Sequence, residues 1–141
     1  MGEGCRAEVI QLHRFFEDWF NGRLEPTEEN FRRFSSVIAE GFQIVLPNGQ
    51  KIDRAGILSR VRAAHGAHAP RGPAIQIWID AYRCRRLDES LRLVTYQEWQ
   101  KVEGPPRGRF ATAVLRRKKS APHGVEWLHV NEVWLPPLPV S

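Results

Sequence analysis

Between Ala64 and Ala74 the spacing of apolar side chains changes from steps of three and four to steps of two, and it does not change back. Before that point Val9, Leu12, Phe16, Trp19 and Phe20 recur at helical intervals, predicting an amphipathic helix from about Glu3 to Asn21. "NGRLEPT" breaks it. Thr27, followed by Glu28 and Glu29, reads as the N-cap of a second helix with Phe31, Phe34 and Ile38 as its stripe and Gly41 at its end. "FQIVLPNGQKI" alternates Phe42, Ile44 and Leu46 around a "PNG" turn, which predicts a short hairpin. Asp53 then caps a third helix with Ile57, Leu58, Val61 and Ala64 inward, and "HGAHAPRGP" ends it in a loop.

Beyond Ala74 the chain reads as four long strands, "AIQIWIDAYRCRRL", "LRLVTYQEWQKV", "RFATAVLRRK" and "VEWLHVNEVWL". The clusters "DES", "GPPRG" and "SAPHG" between them are short, so neighbouring strands are antiparallel. Helices first and a meander afterwards define an α+β domain, with three helices covering one face of the sheet. At 141 residues the chain forms one domain, 1–141, and 42% hydrophobic with 26% charged residues is a globular balance. No apolar run approaches the ~20 residues of a membrane helix. "MGEGCRAEVI" lacks a basic-then-apolar leader, so a cytoplasmic location is expected. Cys5 and Cys84, without metal-ligand spacing, are expected to be free thiols.

Both faces of the strands are apolar. Ile75, Ile77, Ile79 and Ala81 oppose Trp78, Tyr82 and Cys84, so a sheet covered by helices on one side leaves an apolar face for a partner. A homodimer formed sheet to sheet is the expectation. The net charge of +5 favours anionic partners, but "LRRKKSAPHG" stands at a hairpin end apart from the strand aromatics, which argues against nucleic-acid binding.

The order of elements, with "LVTYQEW", "ATAVLRRK" and "GVEWLHVNEVWLP", resembles the nuclear-transport-factor-two-like superfamily. The similarity is to its SnoaL-like branch, which also holds the association domain of calcium/calmodulin-dependent kinase II. Trp127, His129, Glu132, Trp134 and Leu135 match the ending typical of that branch, with Asn131 where a His is usual. The resemblance implies a cone-shaped, cystatin-like fold with a curved antiparallel sheet, a cavity at the wide end and commonly a dimer. It does not imply one reaction, since isomerases, dehydratases, cyclases and non-catalytic association domains share the fold.

Three strand carboxylates, Asp80, Glu98 and Glu132, lie among aromatics that would raise a carboxyl pKa. With Arg86 opposite Leu91, Trp78, Asp80 and Tyr82 share a face with Trp99, and Glu98 falls on the other. In the last strand His129 and Asn131 are in phase with Trp127, and Glu132 is not. The expected catalytic set is therefore Asp80 as base with His129 or Tyr82 as donor. Trp19, Trp78, Trp99 and Asn131 are the expected ligand-binding residues. His129 and Asn131 are expected under the helices, with Val130 and Trp134 on the dimer face.

His13 reads as structural, and His65 and His68 lack further ligands for a metal. No metal or cofactor is expected. Two functions stand side by side: a pocket for an unidentified small organic molecule, performing metal-independent proton transfer, or a non-catalytic oligomerising or ligand-sensing domain.

Overall fold

The architecture follows from where the helical and alternating patterns change, and a computed structural model describes it for residues 1–69 and 72–137. Helix α1 (Gly2–Phe20) buries Val9, Leu12 and Trp19 of the stripe that the sequence marks and half-buries Phe16 and Phe20, and it buries Phe15, Glu8 and His13 besides. Helix α2 (Glu28–Ser35) begins at Thr27, whose hydroxyl accepts the Asn30 N–H at 3.1 Å. It ends earlier than expected. Ile38 and Gly41 belong instead to strand β1 (Ile38–Val45), where Gly41 has a φ of +79° inside a shift of pairing register between Ile38 and Gln43.

The "PNG" turn joins β1 to β2 (Lys51–Asp53), closed by a bond from the Leu46 N–H to the Gln50 carbonyl at 2.9 Å. The Asp53 carboxylate caps α3 (Arg54–Ala63) by accepting the Gly56 N–H at 2.8 Å. Of the loop expected over 65–73, residues 70 and 71 lie outside the described residues.

Strands β3 (Gln76–Arg86), β4 (Leu91–Lys101), β5 (Arg107–Arg117) and β6 (Val125–Trp134) form the expected antiparallel meander. The six strands are ordered β2-β1-β6-β5-β4-β3, and β1 pairs with β6 in parallel. The sheet is thus mixed rather than wholly antiparallel. Three helices pack on its concave side, with α1 lying against β3, β4 and β6. No helix among the described residues is long and apolar enough to cross a membrane.

Two bulges decide which side chains face the helices. In β3 the register begins as the sequence predicts, with Trp78 opposite Trp99 and Asp80 opposite Gln97, but shifts before Arg83 pairs with Thr95. Ala81 has a φ of +52° there, and Tyr82 leaves the outer face to pack against the core. In β6, Leu115 pairs with Trp127 while Val114 pairs with His129, so Leu128 is extra. Trp127 is consequently in phase with Val130 and Glu132, not with His129 and Asn131.

Candidate functional site

Between the concave face and the helices lies a cavity of about 140 Å³. Its apolar walls include Phe16 of α1, Phe34 of α2, Ile57 and Val61 of α3, and Phe42 and Ile44 of β1. The opposite end is polar, formed by His13, Tyr96, Glu98, Arg109 and Glu132. Trp127 lines the cavity as well, its indole N–H donating at 2.9 Å to Glu8, which is fully buried and also bound by both arms of Arg33. That ion pair fixes the ring from outside the cavity.

The polar end is a linear network. His13 Nδ1 lies 2.7 Å from the Val9 carbonyl and Nε2 lies 2.8 Å from Glu98 Oε1. Both partners only accept when Glu98 is ionised, so both ring nitrogens donate and His13 is an imidazolium. Burial opposes that charge, yet the attraction and hydrogen bond of Glu98 prevail and raise the His13 pKa. The second Glu98 oxygen accepts from Gln100 and, at 3.0 Å, from Arg109. Burial would raise Glu98, but His13 and Arg109 hold it down at about 2.

Arg109 extends its other arm to Glu132 Oε1 at 3.1 Å. Glu132, only 5% exposed, sits at the end of the chain of charges. Burial lifts its pKa to about 7, against Arg109 and with the help of Glu98. Tyr96 is held protonated by burial and by the two glutamates, leaving a hydroxyl donor at the wall. Among the described residues no group of three or more His, Cys, Asp or Glu could hold a metal ion.

None of the seven residues expected at the site lines this cavity. Trp78, Asp80, Trp99, His129 and Asn131 do share one face, as parity requires, but it is the face turned away from the helices. Asp80 is exposed, its carboxylate accepting the neighbouring Ala81 N–H at 2.8 Å. His129 Nε2 lies 2.6 Å from the Asn131 amide oxygen. The two satisfy each other on the outer surface, with β4 and β5 between them and Asp80. Trp99 packs across Gly108, where a Cβ would come within 2.7 Å of its ring. Trp19 is 1% exposed in the core, and its indole N–H donates at 2.7 Å to the Val61 carbonyl. The assignment of Val130 and Trp134 to the outer face is likewise reversed, since Val130 lines the cavity and Trp134 follows Glu132 on the concave side.

On strand parity alone Glu98 and Glu132 fall outside the expected set. The register placing Glu98 opposite Ile79 was correct, but that face is the one under the helices. His13 carried a usable signal: a titratable group at helical spacing from Val9 and Phe16 is bound to meet the core.

A curved sheet over a cavity, closed by three helices, is the nuclear-transport-factor-two-like fold, as the resemblance implied. An NTF-2-like protein of unknown function from Pseudomonas aeruginosa superposes with a TM-score of 0.81 at 22% identity, covering 94% of this chain and 99% of that one. The CamKII hub homology domain of Chlamydomonas reinhardtii superposes with a TM-score of 0.58 at 16% identity, over 76% of this chain and 84% of the other.

The chain belongs to the sucrose-6-phosphate phosphohydrolase C-terminal family, whose model matches residues 5–136. Sucrose-phosphatase 2 of Nicotiana tabacum is 26% identical over 130 residues, which are 91% of this chain. The chain spans about 30% of the length of that relative.

Proposed function

We propose that this domain binds a small, largely apolar organic molecule and that Glu132 exchanges a proton with it. The observation that carries the reading is the position of Glu132, nearly buried at the polar end of an otherwise apolar cavity and held by one arm of Arg109. A carboxyl group poised at about 7 is present in both protonation states at neutral pH, which suits it to general acid–base work. His13 and Glu98 orient Arg109, Arg109 orients Glu132, and Tyr96 offers a second donor. Asp80, Tyr82 and His129 take no part in this reading, because none lines the cavity.

Val130→Phe tests it by filling the space. Overpacking ordinarily costs about 1–3 kcal/mol, but here the added ring enters a void and stability is expected to hold. Single-ring compounds detected by ligand-observed NMR on the wild type should be lost on the variant. Identical binding to both would place the ligands elsewhere and end the pocket reading.

The family match favours a second reading, the non-catalytic alternative. The curated relatives are sucrose-phosphatases of which this chain covers a minor part, so the domain would act as a non-catalytic partner of a sugar-phosphate phosphatase. In that role the outer sheet face would join two copies, since Trp78 and Val133 are 39% and 56% exposed there. Sedimentation is expected to give about twice the chain mass of 16.2 kDa, and Val133→Glu to give the single-chain mass. A wild-type monomer at micromolar concentration would rule out the pairing.

A further inference from the structure

The charges around Glu132 discriminate among ligands that would all fit the apolar part of the cavity. We infer that the pocket takes a small monocarboxylic acid, its carboxylate facing Arg109 and Glu132 and its body a single ring or short branched chain, bound together with one proton that resides on Glu132. The inference rests on the pocket reading above and narrows its ligand class.

The body follows from size and lining. A cavity of about 140 Å³ walled by Phe16, Phe34, Phe42, Ile44 and Val130 is close to one known to take up benzene, so one ring fits and a fused ring system does not. The head follows from the charges. His13 is an imidazolium because both of its nitrogens meet acceptors, and Arg109 is always charged. Glu98 accepts from His13, Gln100 and Arg109, so it stays ionised and its oxygens are committed. Two cations thus face one fixed anion, and Glu132 decides the balance.

With Glu132 ionised the site is neutral overall, and an incoming carboxylate would meet a carboxylate beside it. With Glu132 protonated the site carries one excess positive charge, and the carboxyl O–H becomes a donor toward the ligand. The ligand then restores neutrality. Among the described residues lining the cavity nothing else alters this balance, because α2, α3 and β1 contribute apolar side chains alone and β4 adds only the neutral Tyr96 hydroxyl besides Glu98. An ammonium group would instead meet His13 and Arg109, and an alcohol would leave the excess charge unpaired. Burial already brings the Glu132 pKa to about 7 in the empty site, and a carboxylate bound beside it raises it further, so binding above pH 7 takes up a proton.

The probe is benzoate, with benzyl alcohol and benzylamine as its neutral and cationic counterparts, titrated calorimetrically into the intact chain in buffers of different ionisation enthalpy. Above about pH 7, benzoate is expected to bind with uptake of about one proton and to lose about tenfold in affinity per pH unit. Glu132→Gln keeps an N–H donor at the position, so it should bind benzoate with no proton uptake and no loss toward high pH. Should that variant fail to fold, proton uptake by the wild type decides alone.

Benzoate binding without proton uptake, or binding no tighter than that of benzyl alcohol or benzylamine, overturns the acid assignment and leaves the pocket standing. Failure of all three probes to bind removes the pocket reading with it.

Discussion

Glu98→Leu is expected to lower the unfolding free energy by about 3–5 kcal/mol in a urea titration. The leucine is close in size and suits the surroundings, so the loss does not come from packing. It comes from His13 and Arg109, both cationic and both deprived of their shared carboxylate in a site where His13 is 4% exposed. A double variant, His13→Leu with Glu98→Leu, should recover part of the loss because one of the stranded charges is gone.

The pH dependence has a definite sign. Glu98, held at about 2 in the fold against 4.5 when unfolded, contributes stability above about pH 4.5 that is lost on acidification toward 2. His13, raised in the fold, contributes fully below 6.5 and loses its contribution as the pH climbs through its folded value. The gap between wild type and Glu98→Leu should therefore be widest between about pH 4.5 and 6.5. A gap that does not vary from pH 3 to about pH 9 would mean the pair is not ionised.

Trp19→Ala is expected to cost a similar amount, about 3–5 kcal/mol, by a different route. The ring stacks on Phe15 at 5.6 Å and contacts Phe31 at 5.2 Å and His65 at 4.7 Å, so its removal opens a void that neighbours on α1, on α2 and in the turn after α3 cannot jointly refill. Its hydrogen bond to the Val61 carbonyl is lost as well. Because Trp19 is absent from the cavity wall, ligand affinity per folded molecule should stay at the wild-type value. A selective loss of binding in the folded fraction would return Trp19 to the site.

The fold was legible wherever local chemistry and tertiary packing agree. Thr27 and Asp53 cap the helices they were expected to cap, and Val9, Leu12 and Trp19 of the first stripe are buried as their spacing implies, with Phe16 at the cavity wall. Ile38 misled because an apolar residue one turn beyond Phe34 fits a helix as well as the strand it joins. The site was less legible, for two reasons with one origin. Strand parity sorted the residues correctly over uninterrupted stretches, but the extra residues near Ala81 and at Leu128 reset it, and an alanine gives no sign in sequence of a left-handed backbone. Which face meets the helices is a matter of long-range packing. The His13 and Glu98 contact spans 85 positions, and no local pattern announces it.

The parallel pairing of β1 with β6 has a consequence for how the chain acquires its structure. Strand β6, last in chain order among the described strands, lies third in the sheet, between β1 and β5, so the β1–β2 hairpin has no neighbour in the sheet until residues 125–134 are made. Helix α1 can already lie on β3 and β4 at that stage, but the β1 side of the future cavity stands open to water. Closing β1 onto β6 joins segments some 86 to 89 residues apart, a non-local contact of the kind that makes folding slow. The interval before that closure is the period in which the growing chain is exposed to misassociation, and it cannot end before β6 has been translated.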